Sequence, residues 1–180
     1  MRAVGSPGGS GFEVDPRIET AHLRLVGVQG IIRVDRDFGT ELGGLYRRLF
    51  GKLKQIPDIS RPHRTVGYWH FVEKNVRLYF AGIEVDSLKR FKWDYEGGLV
   101  AWNPGLTTWA IWKERNGQEG TLTRSGTCSD WLVASAYRYD GRFIGDFEVY
   151  YWKTVGREPQ SDYHEVWVPI VAKHVSTTDT

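Results

Sequence analysis

What most constrains this chain is the order of its apolar periodicities: a strand-like run, a helix-like run and two strand-like runs, then the same order again. Residues 22–34 are β-branched and aliphatic with loose alternation, which predicts a strand. From Thr40 the spacing changes. Leu42, Leu45, Tyr46, Leu49, Phe50 and Leu53 recur at three and four, while Arg47, Arg48, Lys52 and Lys54 fall off that stripe, so an amphipathic helix is expected. Glu41 near its start and Lys52 and Lys54 near its end suit the helix dipole, and Pro57 closes it. A polar loop leads to strands at 65–72 and 76–85, with Lys74-Asn75 as the hairpin turn.

The second half repeats this order. A strand is expected at 106–114, then a helix within 121–135 that is firmest from Thr127, where Thr127 and Asp130 resemble a capping box and Gly126 interrupts the first turns. Residues 146–152 form a strand with Asp146, Glu148, Tyr150 and Trp152 on one side and Phe147, Val149 and Tyr151 on the other. The last strand is 163–170. Between the halves, residues 86–105 read as a long connection. Its run from Lys89 to Tyr95 reads as a solvated hairpin, with capping a site or meeting a protein partner as the alternatives. The predicted fold is α+β: tandem pseudo-twofold strand-helix-strand-strand units (21–86 and 106–172) sharing one curved, mostly antiparallel sheet. Helices lie on one side and a ligand groove at the junction. Residues 1–20 and 173–180 are expected to be tails.

Several function classes are disfavoured. A formal net charge of +2, from 24 basic and 22 acidic residues, gives no electrostatic case for nucleic acid. One cysteine forbids an internal disulfide and fits a reducing, cytoplasmic compartment. No apolar run approaches a membrane span, and the start lacks the apolar segment of a signal peptide. The histidines His22, His63, His70, His164 and His174 show no metal-ligand spacing, no Gly-rich phosphate loop follows a strand, and there is no Gly-x-Ser-x-Gly elbow. Neither metal nor cofactor is expected. Cys128 lies in the first turn of a helix, but no His or Asn has a partner's spacing, so it reads as a packed small hydrophobe.

The last strand carries the chemistry. His164, Val166, Val168 and Ile170 share one face; Tyr163, Glu165, Trp167 and Pro169 share the other. A carboxylate among aromatic rings is poorly solvated and tends to hold a proton or attract a cation, and a cation over an indole gains ~0.5–2 kcal/mol more. The bland alternative is an edge position where Glu165 meets water. Glu84 is the competing carboxylate, at a strand's end that reads as a solvated rim. Eight Trp, nine Tyr and eight Phe supply core volume, and this many also favours a binding surface for flat apolar ligands.

Five segments in order resemble the effector-binding domain of AraC-type regulators, the GyrI-like domain of multidrug-sensing activators and stand-alone proteins. They are Val76-Arg77-Leu78-Tyr79-Phe80-Ala81-Gly82-Ile83; Asn103-Pro104-Gly105 before Trp109-Ala110-Ile111-Trp112; Asp130-Trp131-Leu132 through Ala136-Tyr137; Asp146-Phe147-Glu148-Val149-Tyr150; and Glu165-Val166-Trp167-Val168-Pro169-Ile170. The likeness runs from about Arg24 to Ile170. It implies a tandem fold whose groove takes bulky, often cationic, aromatic compounds, with an acidic residue of the last strand as charge partner. Glu165 matches that residue and Trp167 shares its face. Tyr137 and Tyr150 match aromatic positions, Tyr79 stands in the third-strand motif, and Trp109 stands where the family commonly has Tyr. Each aromatic has plain core packing as its alternative. The second-helix region is short and glycine-interrupted, and the Pro-Gly segment differs in spacing.

With no helix-turn-helix ahead of the domain, a stand-alone binding protein for cationic or planar aromatic molecules is the expected function, in a sensing, sequestering or regulatory role. Two alternatives stay open. One is a hydrolase of strained-ring alkylating natural products, with Glu165 as general acid or base. The other is a protein-interaction role of the gyrase-inhibitor type. The sequence does not fix the oligomeric state.

Overall fold

A computed structural model describes residues 15–33, 38–73, 75–92, 98–116, 126–154, 158–160 and 162–173, and among these alternation and helical spacing become eight strands and two helices. The strands are β1 (Arg17–Arg33), β2 (Arg64–Glu73), β3 (Val76–Glu84), β4 (Leu99–Arg115), β5 (Tyr137–Tyr139), β6 (Phe147–Thr154), β7 (Glu158–Pro159) and β8 (Tyr163–Ala172). The helices are α1 (Phe38–Lys52), extended by one 3-10 turn over Leu53–Gln55, and α2 (Thr127–Ala134). The two tails for the most part, Lys74 of the expected turn, residues 93–95 of the charged aromatic run and residues 121–125 of the expected second helix lie outside the described residues.

The protein is α+β. Seven strands form one antiparallel sheet in the order β5-β8-β4-β1-β3-β2-β6, and β7 pairs with the far end of β6. The sheet also bends back on itself, because β6 pairs with β8 through Phe147↔Trp167, Glu148↔Val166 and Val149↔Glu165. Six strands therefore close a ring, β8-β4-β1-β3-β2-β6. Closure removes both long free edges, which would otherwise invite pairing with another chain.

Three expectations need correcting. The first strand starts at Arg17, so residues 17–20 of the expected tail are strand, paired to residues 111–108 of β4. Residues 99–105 are not part of a connection; they begin β4, with Leu99–Trp102 paired to Val28–Leu25 of β1. Pro104 and Gly105 ordinarily punctuate strands, but here they sit at a bulge. Between Leu23/Gly105 and Leu25/Trp102, β4 uses one residue more than β1, and Gly105 takes φ 76°. The helix start also differs. Gly126, at φ 82°, occupies the N-cap of α2 and no side chain caps it, so Thr127 and Asp130 do not form a capping box. Ser129 Oγ instead donates to the Gly126 carbonyl at 2.7 Å.

Period two sends alternate residues to opposite faces of the ring. Leu23, Leu25, Val66, Phe80, Trp109, Ile111, Phe147, Val149 and Trp167 fill its inside. Phe143, from the loop between β5 and β6, packs into the same cluster, and Arg142 braces that loop by donating from Nε to Oδ1 and from Nη2 to Oδ2 of Asp140. On the outside, Leu45 and Leu49 of α1 meet Val28, Ile32, Ile83 and Leu99. Each such leucine contributes about 2–3 kcal/mol. Cys128 and Trp131 of α2 meet Trp112, Val166, Val168 and Ile170.

Candidate functional site

The six residues singled out by sequence are distributed over three places. Glu165, Trp167 and Trp109 point into the ring. The Trp109 indole lies 5.7 Å from that of Trp167 and 4.7 Å from Phe147. Tyr137 stacks on Trp131 at 6.0 Å, beneath α2. Tyr79 and Tyr150 are on the outer side, together with α1.

Glu165 is 8% exposed, so it is no solvated edge position. Both of its oxygens are engaged. Oε1 accepts from Arg17 Nη1 and Nη2 at 3.3 Å, and Oε2 accepts from Tyr151 OH and Trp167 Nε1 at 2.8 Å each. The face of Trp167 already carries a cation: the Arg64 guanidinium lies 4.5 Å from the ring centroid. Arg64 is buried and donates to Glu84 at 3.0 Å; its burial lowers the guanidinium's pKa, against the pull of Tyr151 and Glu84. Glu84 is accordingly a paired carboxylate held by Arg64 and, at 3.7 Å, Arg61, rather than a solvated rim. The ring interior thus contains its own aromatic-caged cation. Sequence offered no signal for Arg64, because it begins a strand after a polar loop.

A second buried carboxylate lies on the other side of the sheet. Since Phe147 and Val149 face inward, Glu148, Tyr150 and Trp152 face the helices. Glu148 is 6% exposed. Its Oε2 accepts from Tyr79 OH at 3.1 Å and from Tyr150 OH at 3.3 Å, and Tyr79 OH meets Tyr46 OH of α1 at 3.3 Å. Burial raises the pKa of both Tyr46 and Tyr79, which keeps these phenols protonated as donors.

Gly67 makes this network possible. It sits opposite Glu148 in the β2–β6 ladder, and the Tyr79 side chain crosses over it. A Cβ there would collide with the Tyr79 hydroxyl and stand 3.0 Å from that of Tyr46. A strand glycine at this point is a passage for a ring.

Tyr46 and Tyr150 are also walls of a groove of about 390 Å³ between α1 and β6, lined further by Gly39, Leu42, Gly43, Arg47, Phe50 and Trp152. Phe50 and Trp152 meet edge to face at 5.8 Å, and Tyr46 and Tyr150 at 6.2 Å. Glu148 stands behind this wall, one phenol away. Further along the sheet, Tyr150 stacks on the buried His164 at 4.9 Å, and His164 Nε2 lies 3.3 Å from the buried Glu114. Asp146, half-buried, has its carboxyl pushed up to about 6 by burial first, then by the negative charges of Glu148 and Glu114. Burial also pushes the Cys128 thiol up to about 12, so the thiol is a packed group and not a thiolate. Among the described residues no three His, Cys, Asp or Glu side chains are placed to hold a metal ion, and no helix is long and apolar enough to cross a membrane.

Sequence reasoning passed over Glu148, Tyr46 and Gly67. The same sign that pointed to Glu165, a carboxylate alternating with rings, is present in Asp146, Glu148, Tyr150 and Trp152.

No family model matches the sequence, and no curated protein is similar to it. Solved structures are similar in fold. The EcmrR C-terminal domain superposes with a TM-score of 0.60 at 14% identity, covering 87% of this chain and 97% of that one. EcmrR in a DNA complex gives 0.60 at 11% identity, with 91% of this chain against 59% of that longer one. SAV2435, solved bound to tetraphenylphosphonium, gives 0.54 at 13% identity, with 87% and 94% covered. The fold is therefore shared with the EcmrR C-terminal domain and with SAV2435.

Proposed function

We propose that this protein is a GyrI-like effector-binding domain that takes planar aromatic cations in the groove between α1 and β6, with the buried Glu148 as the source of negative charge. The observation that carries this reading is the groove's wall: Tyr150 lines it and donates to Glu148, and Tyr79 donates to the same oxygen. Aromatic walls supply apolar contact and cation–π attraction, and a carboxylate in a low-dielectric surround acts at longer range than one in water. SAV2435 with its bound phosphonium, a tetrahedral and not a planar cation, supports an aromatic cation as the guest by analogy of fold.

The pairing sequence supports a pseudo-twofold arrangement. In the first half β1 pairs with β3 and β3 with β2; in the second β4 pairs with β8 and β8 with β6. The halves join through β1–β4 and β2–β6, so the junction of β2 with β6 lies where Glu148 and Gly67 face each other. The role in the cell is sensing, sequestration or regulation. Glu165, in this reading, holds the ring together by binding Arg17, Tyr151 and Trp167 rather than a guest.

The test is titration of a fluorescent planar cation, rhodamine 6G, into the wild type, Glu148→Gln and Glu165→Gln. Glu148→Gln is expected to weaken binding by roughly tenfold, the effect of losing about 1.4 kcal/mol, with Glu165→Gln near wild type. Loss of binding in Glu165→Gln alone, with both variants folded, returns the site to the ring interior.

A further inference from the structure

The groove's charge is not of one sign. Arg47 lines it from α1, one turn beyond Gly43. Helical side chains lean toward the N-terminus, and with no side chain on Gly43 the guanidinium lies back across that turn. Its Nη1 stands 3.6 Å from where a Gly43 Cβ would be. Arg48, the next residue, reaches the other way, toward Gly30 and Gly98. Among the described residues no carboxylate pairs with Arg47, unlike Arg17, Arg61, Arg64, Arg90 and Arg142. A purely cationic guest would meet this like charge at the mouth while being drawn by Glu148 behind the far wall.

From this we infer that Arg47 selects amphoteric ligands: flat aromatic molecules whose positive group lies toward Tyr150 and Glu148 and whose carboxylate pairs with Arg47. Gly39, one turn before Gly43 on the same face of α1, lines the groove without a side chain, so a ring can lie against the helix there while Arg47 covers Gly43. A carboxylate matches a guanidinium in two parallel N–H···O bonds, a geometry no exposed lysine reproduces. The inference rests on the groove being the binding site and adds which members of the ligand class it prefers.

Rhodamine 110 and rhodamine 123 make a matched pair of probes, since they share one cationic xanthene and differ only in a free carboxylate against its methyl ester. Fluorescence anisotropy at pH 7.5 and low salt is expected to show rhodamine 110 binding roughly fivefold tighter, the effect of one solvent-exposed ion pair. Arg47→Gln, a change at an exposed position, is expected to abolish the difference by weakening rhodamine 110 and, with the like charge gone, tightening rhodamine 123 slightly, and Arg47→Lys to restore only part of it. Equal or tighter binding of the ester by wild type, or a preference that survives Arg47→Gln, overturns the role of Arg47 and leaves the groove standing as a cation site. Failure of both dyes to bind overturns the groove reading and this inference with it.

Discussion

Replacing Arg64 by Met separates the ring interior from the groove, because it removes the internal cation while keeping much of its aliphatic volume. The charge lost is 3.0 Å from Glu84, and the two side chains are 3% and 14% exposed. With an effective dielectric of about 20 and charge centres some 4 Å apart, the attraction is about 4 kcal/mol before desolvation is counted. Breaking one side of such a buried pair costs about 3–5 kcal/mol, since the remaining carboxylate stays out of water. Arg61 remains near Glu84 at 3.7 Å, but it is 58% exposed and offsets at most about 1 kcal/mol. The guanidinium also leaves the face of Trp167, where the Met sulfur recovers part of the ring contact. The expected loss is about 3 kcal/mol, which for a chain of this size is a fall of roughly 6–12 °C in Tm. Urea titration of Arg64→Met, Glu84→Gln and the double variant forms the cycle. A coupling of about 2 kcal/mol is expected, with dye binding in the groove unchanged in every folded variant. A single variant within about 0.5 kcal/mol of wild type, or no coupling, refutes the internal-cation account.

Two further perturbations address the Glu148 side of the sheet. Gly67→Ala puts a methyl group where the Tyr79 hydroxyl passes; it is expected to cost about 2–4 kcal/mol by overpacking and a broken bond to Glu148, read as Tm, and to weaken dye binding as well. Asp146 carries a folded pKa of about 6 against an ordinary 3.8, so its burial favours the protonated form. Its stability is fully present below about pH 4 and is lost as pH rises through 6, by at most about 3 kcal/mol. Asp146→Asn is therefore expected to raise Tm at pH 8 and leave it unchanged at pH 4, and thermal melts across that range check the sign. In wild type, cation affinity should rise between pH 5 and 7 as Asp146 ionises beside Glu148.

Much of the architecture could be read from periodicity, because α1 keeps its apolar residues to one stripe, while β3 and β8 are short, mostly apolar runs buried on both faces, inside the ring and outside it. The reading lost the start of β4 because Pro104 and Gly105 serve a bulge there, a use that only the partner strand reveals. It also ended β8 at Ile170, two residues short of Ala172. The burial of Glu165 was legible; what fills the space around it was not. Arg64 is 101 residues away in sequence, and Arg17 and Tyr151 approach only once the ring closes. The faces of β6 were assigned correctly, yet the meeting of Glu148 with Tyr79 depends on a ring crossing Gly67, which no single-strand pattern encodes. The five motifs carry a resemblance that no family model matches, and the position of a carboxylate in a motif does not by itself say which side of the sheet holds a guest.

The most direct measurement is a crystal structure of the protein grown with tetraphenylphosphonium or rhodamine 6G. Ligand density between Tyr46, Phe50, Tyr150 and Trp152, with Arg64 still over Trp167, is the predicted result. Density inside the ring beside Glu165, with Arg64 or Phe143 displaced to admit it, would contradict the account.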